Sequence, residues 1–477
     1  MKLSVVGLGK LGLCTAAYFA SKGHRVTGVD KSSYLVGELG QKRCPIRETG
    51  LAEFLETAWG NFSVTTEIAD GVRHSDITLV IVPTPSGPDP APIFPRAMRP
   101  RLVNGGGWRS GVPAARVRRL VRGFSNEHVE AVLHGIGPVL ASKGEFHVVD
   151  VVSTVMPGSS EGVFKPLLEE LSGKVCGEDF GLVYNPEFIA LGSVINDFSR
   201  PDMVLIGASD ERSAEMVEQL YLSSCENRPH IAKMSLLNAE ISKLSLNCFV
   251  TTKISFANEL SNICERIPGA HVDAITEAIG FDSRVGGKYL RAGMGFGGTC
   301  FPRDNAAFQT FATNVGYEAK ISRATVAVND MVVEKLYGLV KANTPDAANV
   351  ALLGLSYKQG THVIEESQSI MLANRLIDAG YGVNVHDPAA LEDAAEALGP
   401  AVEYWSDPYE CVRGADAIVL LTRWPAFKEL DWGRIESGAK DGCLLLDSWR
   451  ELASRKFTKF NYVGLGLGAY VKCPPAV

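Results

Sequence analysis

The chain has 477 residues, 46% of them hydrophobic and 21% charged, with a net charge of −7. That length is too great for one ordinary core and predicts two or three domains of a globular protein. The acidic balance speaks against a general nucleic-acid binder, and the ten scattered cysteines form no Cys-x-x-Cys pair or Cys/His cluster at zinc spacing, so no metal site is expected. The opening Met1-Lys2 runs into an apolar stretch that is short and broken by Gly7, which predicts neither a signal peptide nor a membrane span, and a cytoplasmic location.

Residues 2–7 read as a buried strand, Leu11 to Ser21 as a helix ended by Gly23, and His24 to Asp30 as a second strand. Strand-like runs follow at Ile77–Val82, Phe146–Val152, Gly181–Tyr184 and Met203–Ile206, with room for helices between them. This alternation predicts a parallel, doubly wound sheet to about residue 210. From Lys233 to Arg266 there is no Pro or Gly, which predicts one long helix. A second alternating block has its strands at Asn349–Gly354, Gly382–His386, Ala417–Thr422 and Cys443–Asp447. The expected architecture is α/β: a Rossmann-like domain over 1–210, a helical and dimerising region over 211–330, and a second Rossmann-like domain over 331–477. One segment stands apart. Pro88 to Gly123 carries eight arginines against one acidic residue, and reads as a surface loop or as a basic patch for phosphates or an acidic partner.

Gly7-Leu8-Gly9-Lys10-Leu11-Gly12 joins the first strand to the first helix. The first glycine permits the tight turn, the second lets a pyrophosphate approach the backbone, and the third allows close helix packing. The phosphate would sit at the helix N-terminus, where free N–H groups favour an anion. Asp30, ending the second strand, suits the adenine ribose hydroxyls and repels a 2′-phosphate, which predicts NAD rather than NADP.

The stretch from Arg291 to Asp304, RAGMGFGGTCFPRD, holds four glycines ahead of Cys300. The glycines would let a loop wrap closely around a ligand. Pro302 suits the start of a helix, so Cys300 is expected at a helix N-terminus, where the dipole favours a nucleophilic thiolate. Asp304, one turn on, could orient water or take a proton.

These features resemble the UDP-glucose/GDP-mannose dehydrogenase family. The resemblance also rests on Val82-Pro83-Thr84-Pro85, Ser153-Thr154-Val155, Asn185-Pro186-Glu187-Phe188, Glu240-Ile241-Ser242-Lys243 with Asn247, Phe256-Ala257-Asn258-Glu259, and Gly354-Leu355-Ser356-Tyr357-Lys358. It implies NAD-dependent oxidation of a nucleotide-sugar CH₂OH to a carboxylate, with UDP-glucose to UDP-glucuronate as the leading reaction. GDP-mannose, a dTDP-hexose and a UDP-N-acetylhexosamine compete as substrates, and a nucleotide-sugar-binding protein with impaired catalysis is the reading from another class. Cys300 resembles the nucleophile that forms a thiohemiacetal and then a thioester. Lys243 and Asn247 resemble the pair that steadies the oxyanion, Asp304 the group that orients water, and Glu187 with Thr154 the pair that assists hydrolysis. The resemblance further implies cofactor contacts at Gly7, Gly9, Lys10, Leu11, Gly12, Asp30, Pro83, Thr84 and Thr154. Substrate contacts are implied at Glu187, Phe188, Lys243, Asn247, Arg284, Tyr289, Gly295, Phe296, Gly297 and Lys358, with Arg284 reaching across a homodimer.

The chain departs from the family pattern at four places. His362 and Glu365 stand where the family shows an Asp and a cofactor-contacting Arg. Asp447-Ser448-Trp449-Arg450 replaces Asp-Gly-Arg, with Arg450 read as a substitute one position late. Ile189-Ala190-Leu191-Gly192 replaces a Leu-Arg-Glu-Gly run, and the arginine-rich insertion follows Pro85 where the family has a short loop.

Overall fold

The computed structural model describes residues 1–46, 48, 50–88, 122–189 and 194–468. Most of the arginine-rich insertion (89–121), read as a surface loop or a basic patch, lies outside the described residues, as do 190–193, which hold most of the Ile189–Gly192 departure. The chain divides into two compact units, Met1–Ser245 with Ala306–Glu318, and Leu246–Asn305 with Ala319–Val477. The division falls within two helices, the central helix Leu236–Cys264 and the helix Phe301–Asn314.

The first unit is built on strands β1 (Lys2–Val6), β2 (Arg25–Val29), β3 (Phe62–Thr65) and β4 (Ile77–Val80). A small antiparallel hairpin, β5 (Ser86–Pro88) with β6 (Arg122–Phe124), brackets the insertion. Strands β7 (His147–Val151), β8 (Phe180–Tyr184), β9 (Met203–Ala208) and β10 (His230–Met234) complete a sheet of order β10-β9-β8-β7-β4-β1-β2-β3. Side chains alternate along each strand, as the pleat requires. Val148 and Val152 join one core cluster with Leu3 and Ile206, while Val149 and Val151 join another with Leu133 and Leu205. Both faces are therefore covered by helices, which is why a central strand such as β8 reads as an apolar run. The sheet is not wholly parallel, contrary to the expectation: β8 and β9 pair antiparallel, through Val183 with Ala208 and Tyr184 with Gly207. Burial patterns do not encode strand direction, so the sequence carried no sign of this reversal.

In the second unit β11 (Asn349–Leu353), β12 (Gly382–His386), β13 (Glu403–Tyr404), β14 (Ala417–Leu420), β15 (Leu444–Asp447) and β16 (Asn461–Gly464) form a sheet of order β13-β12-β11-β14-β15-β16, every pair parallel. Leu352 and Val419 pack on one face, Leu353 and Ile418 on the other. Truncating a fully buried leucine such as Leu352 to alanine would cost about 2–5 kcal/mol.

The two sheets repeat one another. Gly7 (φ +96°) follows β1 and donates its N–H to Val29 O at 2.8 Å, as Gly354 (φ +100°) follows β11 and donates to His386 O at 2.8 Å. The next residue in each, Leu8 or Leu355, donates to an aspartate that ends the second strand, Asp30 at 2.8 Å or Asp387 at 2.7 Å. A switch in strand order lies between β1 and β4 in the first sheet and between β11 and β14 in the second, where doubly wound sheets bind ligands at the C-terminal strand ends.

Candidate active site

The glycine turn of the first unit is sterically obligatory at two of its three positions. A Cβ on Gly7 would lie 2.3 Å from Ile81 O, and one on Gly12 only 1.8 Å from Gly7 O. Gly9 is different: a Cβ there would meet nothing within 4 Å, so its open face is available to a ligand. Gly9 caps the helix Lys10–Ser21, whose first residues are Lys10 and Leu11; no side chain caps this helix and its first turn holds no acid. Such an end draws anions. Asp30 accepts from Leu8 N and, at 2.9 Å, from Ser32 N, and a carboxylate held this way keeps acceptor capacity for ribose hydroxyls. The residues present thus fit a dinucleotide.

Beyond β4 and β7 the chain is tied together by side chains. Ser153 accepts from Val82 N at 2.9 Å and donates to Val82 O at 2.7 Å, and the Thr84 hydroxyl donates to Thr154 O at 2.7 Å. Between these ties Pro83 is exposed, Thr84 buried and Thr154 half-buried.

Glu187 follows the C-terminal end of β8. The Tyr221 phenol donates to its Oε1 at 2.6 Å. Desolvation pushes the Glu187 carboxyl up to about 7, against the opposing pull of the Tyr221 hydrogen bond and the Lys243 ammonium. Lys243, buried on the central helix, donates to the Glu187 carbonyl and stands 4.5 Å above the Phe188 ring. Lys243, Glu187 and Phe188 are therefore one assembly. Tyr221, which anchors it, had no signal in the sequence.

In the second unit, Cys300 immediately precedes the helix Phe301–Asn314, and its carbonyl accepts from Asp304 N at 2.8 Å. It is the one exposed cysteine among those described. Burial drives others, such as Cys14 and Cys248, up to about 12, which leaves them inert thiols. The Thr299 hydroxyl lies 3.4 Å from the Cys300 sulfur. Asn247 Nδ2 donates to Asp304 Oδ2 at 2.5 Å, both residues being buried.

The glycine-rich run ahead of Cys300 serves packing more directly than expected. A Cβ on Gly295 would lie 2.2 Å from Asn329 Oδ1, one on Gly297 2.3 Å from Glu366 O, and one on Gly298 2.6 Å from the Tyr357 ring. The space read as room for a ligand is filled at these positions by the unit's own atoms. The Gly295 and Phe296 N–H groups donate to Gln368 Oε1 (2.6 Å) and Asn329 Oδ1 (2.7 Å), so the loop is held from both sides. Phe296 is buried with its ring edge-on to Phe301, 6.4 Å between centroids. Tyr289 is half exposed, at φ +64°, and also meets Phe301. Arg284 is exposed and paired bidentately with Asp282, and Lys358 stands 5.8 Å from the Tyr357 ring centroid.

Three family models match the chain: the NAD binding domain of the UDP-glucose/GDP-mannose dehydrogenase family over residues 1–92 and 123–224, its central domain over 237–331, and its UDP binding domain over 351–453. The UDP-glucose 6-dehydrogenase AglM of Haloferax volcanii is 34% identical over 90% of this chain and 93% of its own length. The GDP-mannose 6-dehydrogenase of Pseudomonas putida is 32% identical over 90% and 93%. A solved UDP-glucose dehydrogenase from Pyrobaculum islandicum superposes with a TM-score of 0.81 at 32% identity, covering 98% of both chains. The chain belongs to the UDP-glucose/GDP-mannose dehydrogenase family. It is an NAD-dependent nucleotide-sugar dehydrogenase, with an NAD-binding first domain and a nucleotide-binding last one.

Seen as a family member, the chain has two departures that acquire a structural meaning. Arg450 does not substitute for the displaced arginine. It is buried, paired bidentately with Asp273 at 2.7 and 2.8 Å, and donates to Leu465 O and Ala292 O. All its donors are spent on Asp273 and on main-chain oxygens of its own unit. Glu365 contributes its carbonyl to Gly298 N at 3.0 Å, and the His362 ring meets Asp393 at 3.1 Å. Among the described residues no helix is long and apolar enough to cross a membrane.

Proposed function

We propose that this dehydrogenase oxidises the C6 hydroxymethyl of UDP-glucose to the carboxylate of UDP-glucuronate, through a covalent adduct on Cys300. Bound NAD⁺ supplies the hydride acceptor, twice per turnover. After the first oxidation the Cys300 thiolate adds to the aldehyde carbon, giving a thiohemiacetal whose C–H is again open to hydride loss. The second oxidation leaves a thioester, and water cleaves it to the carboxylate and the free thiol. Lys243 and Asn247, one turn apart on the central helix, supply an ammonium and an amide donor to the oxyanion. Asp304, locked by Asn247, orients the proton traffic. Glu187 takes the proton from the hydrolytic water, with Thr154 holding that water; a carboxyl near 7 is matched to this task. Gly7, Gly9, Lys10, Leu11, Gly12, Asp30, Pro83 and Thr84 hold the dinucleotide. Phe188, Arg284, Tyr289 and Lys358 bind the nucleotide sugar, and Gly295, Phe296 and Gly297 shape the loop that leads to Cys300.

The observation that carries this reading is the exposure of Cys300 alone among the described cysteines, at the start of the helix that bears Asp304. The reading includes a homodimer: Phe249, Phe256 and Ile263 are exposed at seven-residue intervals on the central helix, an apolar stripe suited to a second copy. It also includes the cytoplasm, where the nine free thiols described would stay reduced. NADH absorbance with a panel of UDP-glucose, GDP-mannose, dTDP-glucose and UDP-N-acetylhexosamines tests it. Two NADH per UDP-glucose consumed is the expected result. One per sugar contradicts the thioester route, and binding without NADH contradicts an active enzyme.

A further inference from the structure

Three buried amides grip the backbone ahead of Cys300, and each comes from a different helix of the second unit. Asn258, on the central helix, accepts from Gly293 N at 2.8 Å. Asn329, on the helix Lys320–Asn343, accepts from Phe296 N at 2.7 Å and donates to Phe296 O at 3.1 Å, pairing with that residue as a neighbouring strand would. Gln368 opens the helix Gln368–Asp378. Its Oε1 accepts from Gly295 N at 2.6 Å and its Nε2 donates to Asn329 O at 2.9 Å. A backbone N–H only donates and a carbonyl only accepts, which fixes the end of the Gln368 amide that faces each. A Cβ on Gly295 would lie 2.2 Å from Asn329 Oδ1 and 2.4 Å from Gln368 Nε2, so the two amides close over a glycine.

Apolar side chains could fill the same volume with no polar groups to satisfy. What the amides add is register, because directional bonds at Gly293, Gly295 and Phe296 would all break if the loop slid by one residue. The segment before Gln368 extends the hold. Glu365 O accepts from Gly298 N at 3.0 Å, and Glu366, at a strained φ of +51°, directs its carbonyl at Gly297, where a Cβ would come within 2.3 Å of it. The carboxylates flanking the clasp in sequence, Glu365, Glu366 and Asp330, are exposed. On the far side of Cys300, Asn305 Nδ2 donates to Phe301 O at 2.9 Å and lies 3.0 Å from Thr251 Oγ1, and the Phe301 ring meets Phe296. Thr299 and Cys300 are thus a short span between two fixed ends.

We propose that Gln368 and Asn329 are positioning residues for Cys300: their amides fix the register of the Gly295–Phe296 backbone and so set where the sulfur meets the sugar aldehyde. This rests on the reading of Cys300 as the nucleophile. The first oxidation passes a C6 hydrogen as hydride to NAD⁺ and releases the hydroxyl proton, and it does not use the sulfur. The next step does: the S–C bond forms while the aldehyde C=O becomes an oxyanion. A displaced sulfur therefore fails at one identifiable step and lets aldehyde escape, whereas a general loosening of the fold slows both oxidations alike.

The test is NADH released per UDP-glucose consumed by the full chain, with semicarbazide present to trap escaping aldehyde. The parent should release two. Gln368→Met, similar in length and unable to form either bond, should fall toward one, with kcat reduced about tenfold or more and the KM for UDP-glucose and NAD⁺ within about threefold of the parent. Gln368→Glu is the conservative arm. At about pH 6 its protonated carboxyl accepts from Gly295 N and donates to Asn329 O, restoring two NADH; at about pH 9 the carboxylate has no proton for the Asn329 carbonyl and aldehyde should escape. That comparison is made on a single protein, so it decides the matter even where Gln368→Met does not fold. Two NADH per sugar from a folded Gln368→Met overturns the proposal whatever its kcat, and so does Gln368→Glu losing as much aldehyde at the lower pH as at the higher. A parent that itself releases one NADH overturns the nucleophile reading and the proposal with it. Two from both the parent and Gln368→Met removes the positioning role alone.

Discussion

Tyr221→Phe removes one oxygen atom and should move a pH profile. The phenol donates to Glu187 Oε1 at 2.6 Å in a desolvated setting, so it stabilises the ionised carboxylate. A hydrogen bond to a charged group contributes about 1.5–3 kcal/mol, and about 1.4 kcal/mol corresponds to one pH unit. Glu187, near 7 in the parent, should therefore ionise about one to two units higher in the variant. A general base acts when deprotonated, so activity falls as pH drops through this value, and the acid limb of the kcat profile should shift to higher pH by the same amount. The assay is steady-state NADH formation with UDP-glucose from pH 5.5 to 9.5, with circular dichroism to confirm an unchanged fold. In a Glu187→Gln background the same tyrosine change should shift nothing, because the group it acts through is gone. An acid limb that stays in place in a folded Tyr221→Phe enzyme would refute the assignment of Glu187 as the base.

Gly9→Ala should fold normally, because its Cβ meets nothing within 4 Å, while raising the KM for NAD⁺ about tenfold; Gly12→Ala, with a Cβ 1.8 Å from Gly7 O, should lose folded protein outright in thermal melts. Asn247→Ala removes both a proposed oxyanion donor and the partner of buried Asp304, and kcat should fall about 10²–10³-fold with a lowered melting temperature. Glu187 and Glu240 both ionise near 7, above the ordinary glutamate value of 4.5, so the folded state holds their protons more tightly than the unfolded chain does. Their stabilising contribution is complete below about 4.5 and lost as pH rises through about 7; the melting temperature should fall over that window, and Glu187→Gln should flatten part of the fall.

What the sequence made legible follows from how local each signal is. Strands such as β8, β9 and β14 are buried on both faces, and their apolar runs mark them in the sequence. The edge strand β3 (Phe62–Thr65) and the half-exposed β10 and β16 lack such runs and were missed. Lys233 and Met234, read as part of the central helix, belong to β10, whose pairing with β9 is tertiary information. Cys300 was readable as a helix-start cysteine because Pro302 sits beside it. The partnerships that shape the candidate site span the chain: Tyr221 reaches Glu187 across 34 residues, and Arg450 reaches Asp273 across 177. Nothing local marks Arg450 as buried. The glycines before Cys300 carried a true signal of close approach, but sequence alone does not say whether the close neighbour is a ligand or, as at Gly298, the enzyme's own tyrosine.

The covalent route through Cys300 is tested most directly by intact-protein mass spectrometry of Glu187→Gln after rapid mixing with UDP-glucose and NAD⁺. Slowed hydrolysis should leave an acyl adduct of the nucleotide sugar that peptide mapping places on Cys300, with two NADH released per adduct formed. An adduct elsewhere in the chain, or free uronate made at the parent rate by Cys300→Ala, would contradict it.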